Sequence, residues 1–379
     1  MARGDCRQAA QATRRPEQQR NTRMRFEQWA KNPQCEANTL SAVHNVRMAK
    51  AARRAGLEPT FGASPFALAR GDQFERNVLA NQAERLLPEL VRTGVLTGSA
   101  SGLLDLRIRM NGGSDHALLD LDAACAKTEE ALRRIGCARG ESELSALPAV
   151  VAGATLKLPR GVMLPEALLI LDVLVVRPQP GAARAEVVVG EVKTYADRGG
   201  FTDRQQLAQA RAQMGLYLHA LRTVTATFDE SERPAFADEG FLVLSRPGSD
   251  FPRVRPGEQL TYQASRADRG FELLEAAAAR LPVTFDVDAD DEPTRLEAVL
   301  TAQKHYSEAC LGFCDLAQRC HEEAVERSDP VVLGDDVRRF ATGVPLWRIG
   351  ELLSGSPAHD DTERALVDRI REAEDPGWD

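Results

Sequence analysis

Three dense apolar runs between residues 149 and 195 constrain the fold of this chain more than any other feature. They cover residues 149–159, 166–178 and 185–195, and each is rich in Val, Ile and Leu. Runs of this length and composition are typical of buried strands. The sequence Arg-Pro-Gln-Pro-Gly-Ala between the last two runs favours a turn. We therefore predict three consecutive strands, the last two joined as a hairpin.

The segments around these strands have mostly helical periodicity. We predict helices over the ranges 35–56, 64–92, 122–136, 202–222, 260–281 and 294–327, and two short helices in the last fifty residues. Ser64 is a candidate N-cap, followed by Pro65 at the first helical position. One more strand is predicted at 239–248. The order of helix, three strands, helix and strand predicts an α/β fold.

Composition and charge narrow the classes of function. The chain is 43% hydrophobic and 27% charged, as in ordinary soluble domains. Its longest apolar run, 164–176, contains a proline and two acidic residues, so we expect no membrane span. Neither a signal-peptide h-region nor a nucleotide-binding glycine motif occurs, which favours a cytoplasmic protein without ATP chemistry. Residues 1–34 carry eight basic and three acidic side chains against a net charge of −8, which suits either a solvated tail or a nucleic-acid contact.

Acidic and basic side chains interrupt the second and third apolar runs. Asp172 lies within Leu-Leu-Ile-Leu-Asp-Val-Leu-Val-Val, and Glu191-Val192-Lys193 follows in the next run. Residues i and i+2 of a strand share a face, and neighbouring strands lie about 4.8 Å apart. Asp172 and Glu191 could therefore converge on Mg²⁺ or Mn²⁺, with Lys193 orienting the attacking water. The alternative is an ion pair of Lys193 with Asp172 or Glu191 at the edge of the sheet.

Two polar side chains share a face of the helix predicted after the third strand. Gln213 and Tyr217 are four residues apart and therefore lie one turn apart. They could contact a phosphate and stack on a base or a sugar. The alternative is that they are surface and core-edge residues.

Together these residues resemble the RecB-like nucleases of the PD-(D/E)XK superfamily, whose motifs correspond to Asp172, Glu191-Val192-Lys193 and Gln213-x-x-x-Tyr217. The segment 64–75 resembles the first motif of that family, with Gly71 and Glu75 at the matching positions. The resemblance implies a restriction-endonuclease-like α-β-β-β-α-β core with helical N- and C-terminal additions. It also implies a divalent-metal site of Glu75, Asp172, Glu191 and the Val192 carbonyl.

Seven cysteines form a lopsided pattern, in which Cys310, Cys314 and Cys320 are clustered and Cys6, Cys35, Cys125 and Cys137 are scattered. In a cytosolic chain such a cluster indicates a metal site before it indicates disulfides. Zinc remains open on chemistry alone, with His321 or Cys35 as the fourth ligand, and so do buried free thiols.

The family resemblance favours a [4Fe–4S] cluster for these cysteines. A subset of RecB-like nucleases holds such a cluster with one cysteine before the core and three after it. Cys35, Cys310, Cys314 and Cys320 match that arrangement, while Cys6, Cys125 and Cys137 remain alternatives for the fourth ligand. The resemblance thus divides the chain into a basic arm and helix (1–60), a nuclease core (61–300) with an insertion at about 90–148, a cysteine segment (301–330) and a C-terminal helical region (331–379).

These expectations combine into a metal-dependent deoxyribonuclease acting on single strands or DNA ends in repair or defence, as an exonuclease rather than an endonuclease. Its partners would be DNA and a helicase or another complex subunit. One rival is a non-catalytic DNA-binding or scaffold subunit of the same fold. A second rival is a zinc-stapled protein with no nucleic-acid role.

Overall fold

A computed structural model describes residues 22–61, 65–98, 102–107, 121–158, 163, 168–282 and 291–374 of the chain. The chain forms two compact units, one of Met1–Arg23 with Ala63–Ala276 and the other of Met24–Gly62 with Ala277–Asp379. The division differs from the four consecutive segments that the sequence suggested. Helices from the 1–60 segment belong to the same unit as everything after Ala277, and the core unit stops near residue 276 instead of 300.

The first unit contains a seven-stranded mixed sheet. Its strands are β1 (Leu103–Asp105), β2 (Val150–Lys157), β3 (Leu168–Pro178), β4 (Ala185–Ala196), β5 (Ala235–Phe236), β6 (Glu239–Ser245) and β7 (Pro252–Gln259). The sheet order is β1-β2-β3-β4-β6-β7, and β5 pairs with β4 outside this path. The pairs β2–β3 and β3–β4 are antiparallel, whereas β1 is parallel to β2 and β6 is parallel to β4. The predicted α/β class is confirmed.

Fourteen α-helices lie in the described part of the chain. They are α1 (Thr22–Lys31), α2 (Glu36–His44), α3 (Met48–Arg54), α4 (Pro65–Ala83), α5 (Leu87–Arg92), α6 (Leu121–Cys137), α7 (Gly140–Ser145), α8 (Arg204–Thr225), α9 (Thr261–Ala278), α10 (Glu292–Thr301), α11 (Ala317–Glu326), α12 (Asp335–Ala341), α13 (Leu346–Leu353) and α14 (Asp361–Glu374). None of the described helices is long and apolar enough to cross a membrane.

The parallel pair β4 and β6 requires a crossover, and α8 provides it. Asp203 caps the N-terminus of α8 by accepting a hydrogen bond from the Gln206 backbone N–H, which fixes where the helix starts. Helix α8 then packs against β2, β3 and β4. Helices α4 and α5 pack on the sheet through Phe74, Val78 and Leu90, which share one core cluster with residues of β2, β3 and β6.

Three predicted helices are shorter than their hydrophobic patterns. The 35–56 segment is two helices, because Asn45 adopts a left-handed conformation (φ 52°) that ends α2. The 64–92 segment breaks where Ala80, Asn81 and Gln82 leave helical geometry, and Ser64 lies outside the described residues. The 294–327 segment contains α10, the 3₁₀ turn Glu308–Gly312 and α11. Residues 330–374, the described part of the last fifty, hold three α-helices where two were predicted.

Strand β7 was not predicted, and its sequence explains why. It reads Pro-Arg-Val-Arg-Pro-Gly-Glu-Gln, which lacks an apolar run. Among the described strands it pairs with β6 alone, at one edge of the sheet, where proline and charged residues are tolerated.

The second unit is a helical assembly. Helices α2 and α3 pack against α10, and their apolar side chains share one cluster with Val299, Leu316 and Val331. The C-terminal helices α13 and α14 pack around a small cluster that includes Leu352 and Leu366. Arg348 of α13 forms a buried bidentate contact with Glu363 of α14, with N···O distances of 2.9 and 2.8 Å.

Candidate active site

The register of three strands aligns the candidate residues of the sheet. Val173 pairs with Gly190, which places Asp172 opposite Glu191. The Val192 backbone N–H donates a hydrogen bond to Asp172 Oδ2 at 3.0 Å and fixes this carboxylate against β4. Gly190 permits the alignment, because a Cβ there would lie 2.3 Å from the Phe241 ring. Strand β4 continues to Ala196, so the two charged residues lie within the strand and not at its end.

Glu191 is completely buried, with 0% of its surface exposed. Lys193 Nζ forms an ion pair with Glu191 Oε1, a contact that favours the charged form of both groups. Among the described residues, Glu191 Oε2 has no hydrogen-bond partner. Burial, and then the charge of Asp172, raise the pKa of Glu191 to about 8, against the opposing effects of Lys193 and Arg23. A buried carboxylate with free lone pairs is suited to a cation.

Lys193 shares this buried environment. Burial opposes its positive charge, but Glu191 and Asp172 outweigh that effect and raise the pKa of Lys193 above its usual value. The ammonium therefore stays charged at neutral pH. One of the two ion pairs considered as alternatives for Lys193, the pair with Glu191, is present in the structure.

Helix α4 brings Glu75 to the same place. Burial is the main reason that the pKa of Glu75 rises to about 7, and the nearby charge of Asp172 adds to the shift. The opposing influence comes from Arg107, whose Nη1 lies 2.9 Å from Glu75 Oε1. Glu75 on α4 and Glu191 on β4 therefore each lie near Asp172 on β3, although these three described carboxylates are not spaced to share one metal ion.

Helix α8 closes one side of the site. Gln213 Nε2 donates a hydrogen bond to Tyr217 Oη at 2.6 Å, and Arg23 Nη1 lies 3.4 Å from the same oxygen. Burial, followed by the charges of Glu191 and Asp172, raises the pKa of Tyr217 well above its usual value. Both side chains are buried, so the Tyr217 ring is not presented for stacking on a base. The contacts of Gln213 and Tyr217 with DNA therefore stay a prediction.

Three residues of this site were missed from sequence. Asp105 ends β1, Arg107 follows it, and Arg23 lies in the first turn of α1. A signal did exist for the first two, because Asp105-Leu106-Arg107 repeats the acid-x-base spacing of Glu191-Val192-Lys193. Arg23 had no such signal, since only the tertiary fold brings it to Tyr217.

The predicted cluster cysteines gather in the second unit. Cys35 is the N-cap of α2, Cys310 lies in the 3₁₀ turn, Cys314 follows that turn and Cys320 lies in α11. All four belong to or pack against one apolar cluster and form no disulfide. In the other unit, Cys125 packs with Leu121 and Leu168.

The other residues considered as the fourth ligand are Cys137, Cys6 and His321. Cys137 is exposed at the end of α6, and Cys6 lies outside the described residues. His321 makes an edge-on contact with the Tyr306 ring at a centroid distance of 5.5 Å.

The four-cysteine group has the donor chemistry of a thiolate site. Burial raises the pKa of Cys35, and raises those of Cys314 and Cys320 to about 12, with neighbouring thiols adding to each shift. Asn32 Nδ2 donates a hydrogen bond to Cys310 Sγ at 3.2 Å. Such donors stabilise charge on a ligating sulfur, and a bound metal deprotonates thiols that burial keeps neutral. Across the described residues, no three His, Cys, Asp or Glu side chains are already spaced to share a metal ion.

No protein-family model matches this sequence. Comparisons with curated proteins and with solved structures also give no match.

Proposed function

We propose that this protein is a Mg²⁺- or Mn²⁺-dependent deoxyribonuclease that hydrolyses phosphodiester bonds. The observation that carries the proposal is that partly buried Glu75 and completely buried Glu191 both lie near Asp172, with Lys193 paired to Glu191. Burying several carboxylates together is costly unless cations compensate their charge. That cost favours a site built to receive a divalent cation and a phosphate.

The order of elements supports the same proposal. Helix α4, strands β2, β3 and β4, helix α8 and strand β6 follow one another in the order that the RecB-like resemblance implies. The insertion between α4 and β2 contributes β1 and helices α5 to α7. On this proposal, the unit is a restriction-endonuclease-like nuclease core.

Each residue has a separate part in the proposed chemistry. Asp172 and Glu191, with the Val192 carbonyl, would hold the cation, and Glu75 would complete the acidic set. A divalent cation held there would supply Lewis-acid polarisation of the phosphate and would acidify water. Lys193, which stays protonated, would orient the attacking water and stabilise the charge that develops on the phosphate. Gln213, Tyr217 and Arg23 would keep the carboxylates in place.

The cysteines complete the proposal as a second metal site. Cys35, Cys310, Cys314 and Cys320 would bind a structural [4Fe–4S] cluster, since four thiolates are the usual ligands of such clusters. A structural zinc ion is the alternative for the same donors. Exonuclease action on single strands or DNA ends, a helicase or other complex partner, and a role in repair or defence follow from the resemblance alone.

Digestion of end-labelled single- and double-stranded DNA with Mn²⁺ tests the proposal. We expect the wild type to degrade DNA and Lys193→Ala to lose activity by about 10²–10³-fold, the range for removing one group that stabilises transition-state charge. Lys127→Ala is the matched control, because Lys127 is exposed on α6 and takes no part in the site. Product lengths over time would give the polarity.

The same experiment separates the rival functions. DNA binding by all three proteins without cleavage would identify a non-catalytic DNA-binding or scaffold subunit. Absence of both binding and cleavage would contradict a nucleic-acid function altogether.

A further inference from the structure

Arg107 occupies a place in the sheet that a glycine keeps open for it. The β2–β3 register pairs Ala152 with Val173 and Ala154 with Leu171, which puts Gly153 opposite Asp172. A Cβ at Gly153 would lie 2.2 Å from Arg107 Cγ, so the arginine side chain fills the space where a side chain of β2 would be. Gly153 also has a φ of +66°, a conformation that other residues rarely adopt.

Two carboxylates hold the Arg107 guanidinium at this place. Arg107 Nε and Nη2 donate to Asp105 Oδ1 and Oδ2 at 2.8 and 2.6 Å, in the bidentate geometry that aligns a guanidinium with a carboxylate. The remaining nitrogen, Nη1, donates to Glu75 Oε1 at 2.9 Å. Only 7% of the Arg107 side chain is exposed, whereas Asp105 remains 40% exposed at the rim.

This arrangement gives Glu75 a fixed direction. Glu75 lies near the like charge of Asp172, which would favour rotation of its side chain away from the site. A buried guanidinium fixed from its other side by Asp105 counteracts that repulsion. Arg107, two residues after β1, belongs to the insertion. The insertion therefore supplies the basic side chain that contacts Glu75.

We propose that Arg107, seated over Gly153 and clamped by Asp105, is the positioning residue that holds Glu75 beside Asp172 for divalent-cation binding. The inference deepens the proposed nuclease function and rests on it. It also gives the first residues of the insertion a role in positioning Glu75.

The experiment measures Mn²⁺ affinity of the full-length protein by electron paramagnetic resonance, without DNA. We expect Arg107→Gln and Glu75→Gln each to weaken binding by about tenfold or more, the usual range for losing a group that orients a metal ligand. Arg107→Lys should restore part of the affinity. The double variant should bind no more weakly than Glu75→Gln alone, because Arg107 acts through Glu75.

Control variants keep a folding defect apart from a positioning defect. Arg92→Gln, which removes an exposed arginine that pairs with Glu89 on α5, should leave Mn²⁺ affinity unchanged. Asp105→Asn keeps the shape of the clamp while removing its charge, and should weaken binding even if Arg107→Gln fails to fold.

The outcomes distinguish this inference from the proposed function. A wild type that binds no Mn²⁺ overturns both. A wild type that binds Mn²⁺ while folded Arg107→Gln and Asp105→Asn bind equally well overturns the positioning role alone. Additive losses in the double variant would also overturn it, since they would show that Arg107 acts independently of Glu75.

Discussion

At the scale of single residues, the site is a set of acids held in the interior by basic partners. Glu75 contacts Arg107, and Glu191 contacts Lys193. Removing one member of a buried ion pair leaves its partner uncompensated, so such pairs couple the site to the stability of the fold. The coupling makes the stability of the metal-free protein sensitive to pH.

Glu191 should make the metal-free protein less stable as pH rises. Its folded pKa of about 8 is above its ordinary value of 4.5, so the folded state retains a proton that the unfolded state releases between these values. The stabilising contribution is therefore complete at low pH and is lost towards pH 8, at about 1.4 kcal/mol per pH unit for one such group.

Thermal denaturation of chelator-treated protein between pH 5.5 and 8 would measure this effect. We expect the wild-type Tm to fall with rising pH and Glu191→Gln to show a flatter profile. Added Mn²⁺ should reduce the loss at pH 8, because the cation binds the ionised carboxylate. A wild-type Tm that rises over this range would contradict the assignment.

At the scale of elements, strands β2, β3, β4 and β6 were predictable, whereas β7 and the contacts between distant elements were not. Strands β2, β3 and β4 have continuous apolar runs, and such runs indicate buried strands without any tertiary information. The pairing of Asp172 with Glu191 followed from adjacent strands alone. The break after α2 was missed because a left-handed Asn45 leaves no mark in the hydrophobic pattern.

Arg107 shows most clearly what sequence could not provide. Its contact with Glu75 joins α4 to the end of β1, and no periodicity relates these two segments. Tyr217 was found from its spacing to Gln213, but its burial depends on helices and strands packing around it. Spacing identifies which residues share a face, whereas packing decides which face meets water.

Strand β2 should tolerate no side chain at its glycine. Gly153→Ala places a Cβ against Arg107 Cγ and forces alanine into a positive φ, so we expect a loss of about 1–3 kcal/mol of unfolding free energy. Chemical denaturation would measure it. Gly350→Ala in α13 is the matched control: apart from the neighbouring backbone of its own helix, no described atom lies within 4 Å of a Cβ at this position. The change should therefore be neutral or stabilising by up to about 1 kcal/mol. Equal stability of Gly153→Ala and wild type would refute the close packing of Arg107.

At the scale of the whole molecule, the second unit joins two parts of the chain that are remote in sequence. Helices α2 and α3 come from before the sheet, and α10 to α14 come from after it. Cys35 lies in the first part and Cys310, Cys314 and Cys320 lie in the second. A metal or cluster bound by all four would cross-link these parts.

Cys35→Ser should therefore lose metal and stability together. We expect less iron by elemental analysis, weaker absorbance near about 400 nm in anaerobically purified protein, and a lower Tm. Cys137→Ser is the control, because Cys137 is exposed on α6. Unchanged metal content in Cys35→Ser would exclude Cys35 as a ligand. Colourless wild-type protein that contains stoichiometric zinc would indicate a zinc site instead of an iron–sulfur cluster.

The discontinuity of the second unit also sets an order of events during synthesis. Helices α2 and α3 emerge early, but their packing partner α10 starts only at Glu292, after the entire sheet has been made. Synthesis proceeds at about 5–20 residues per second, so ~10 s or longer passes between the synthesis of these two helices and that of α10. Until α10 is made, Ala51 and Ala52, which are buried in the finished protein, lack the helix that covers them.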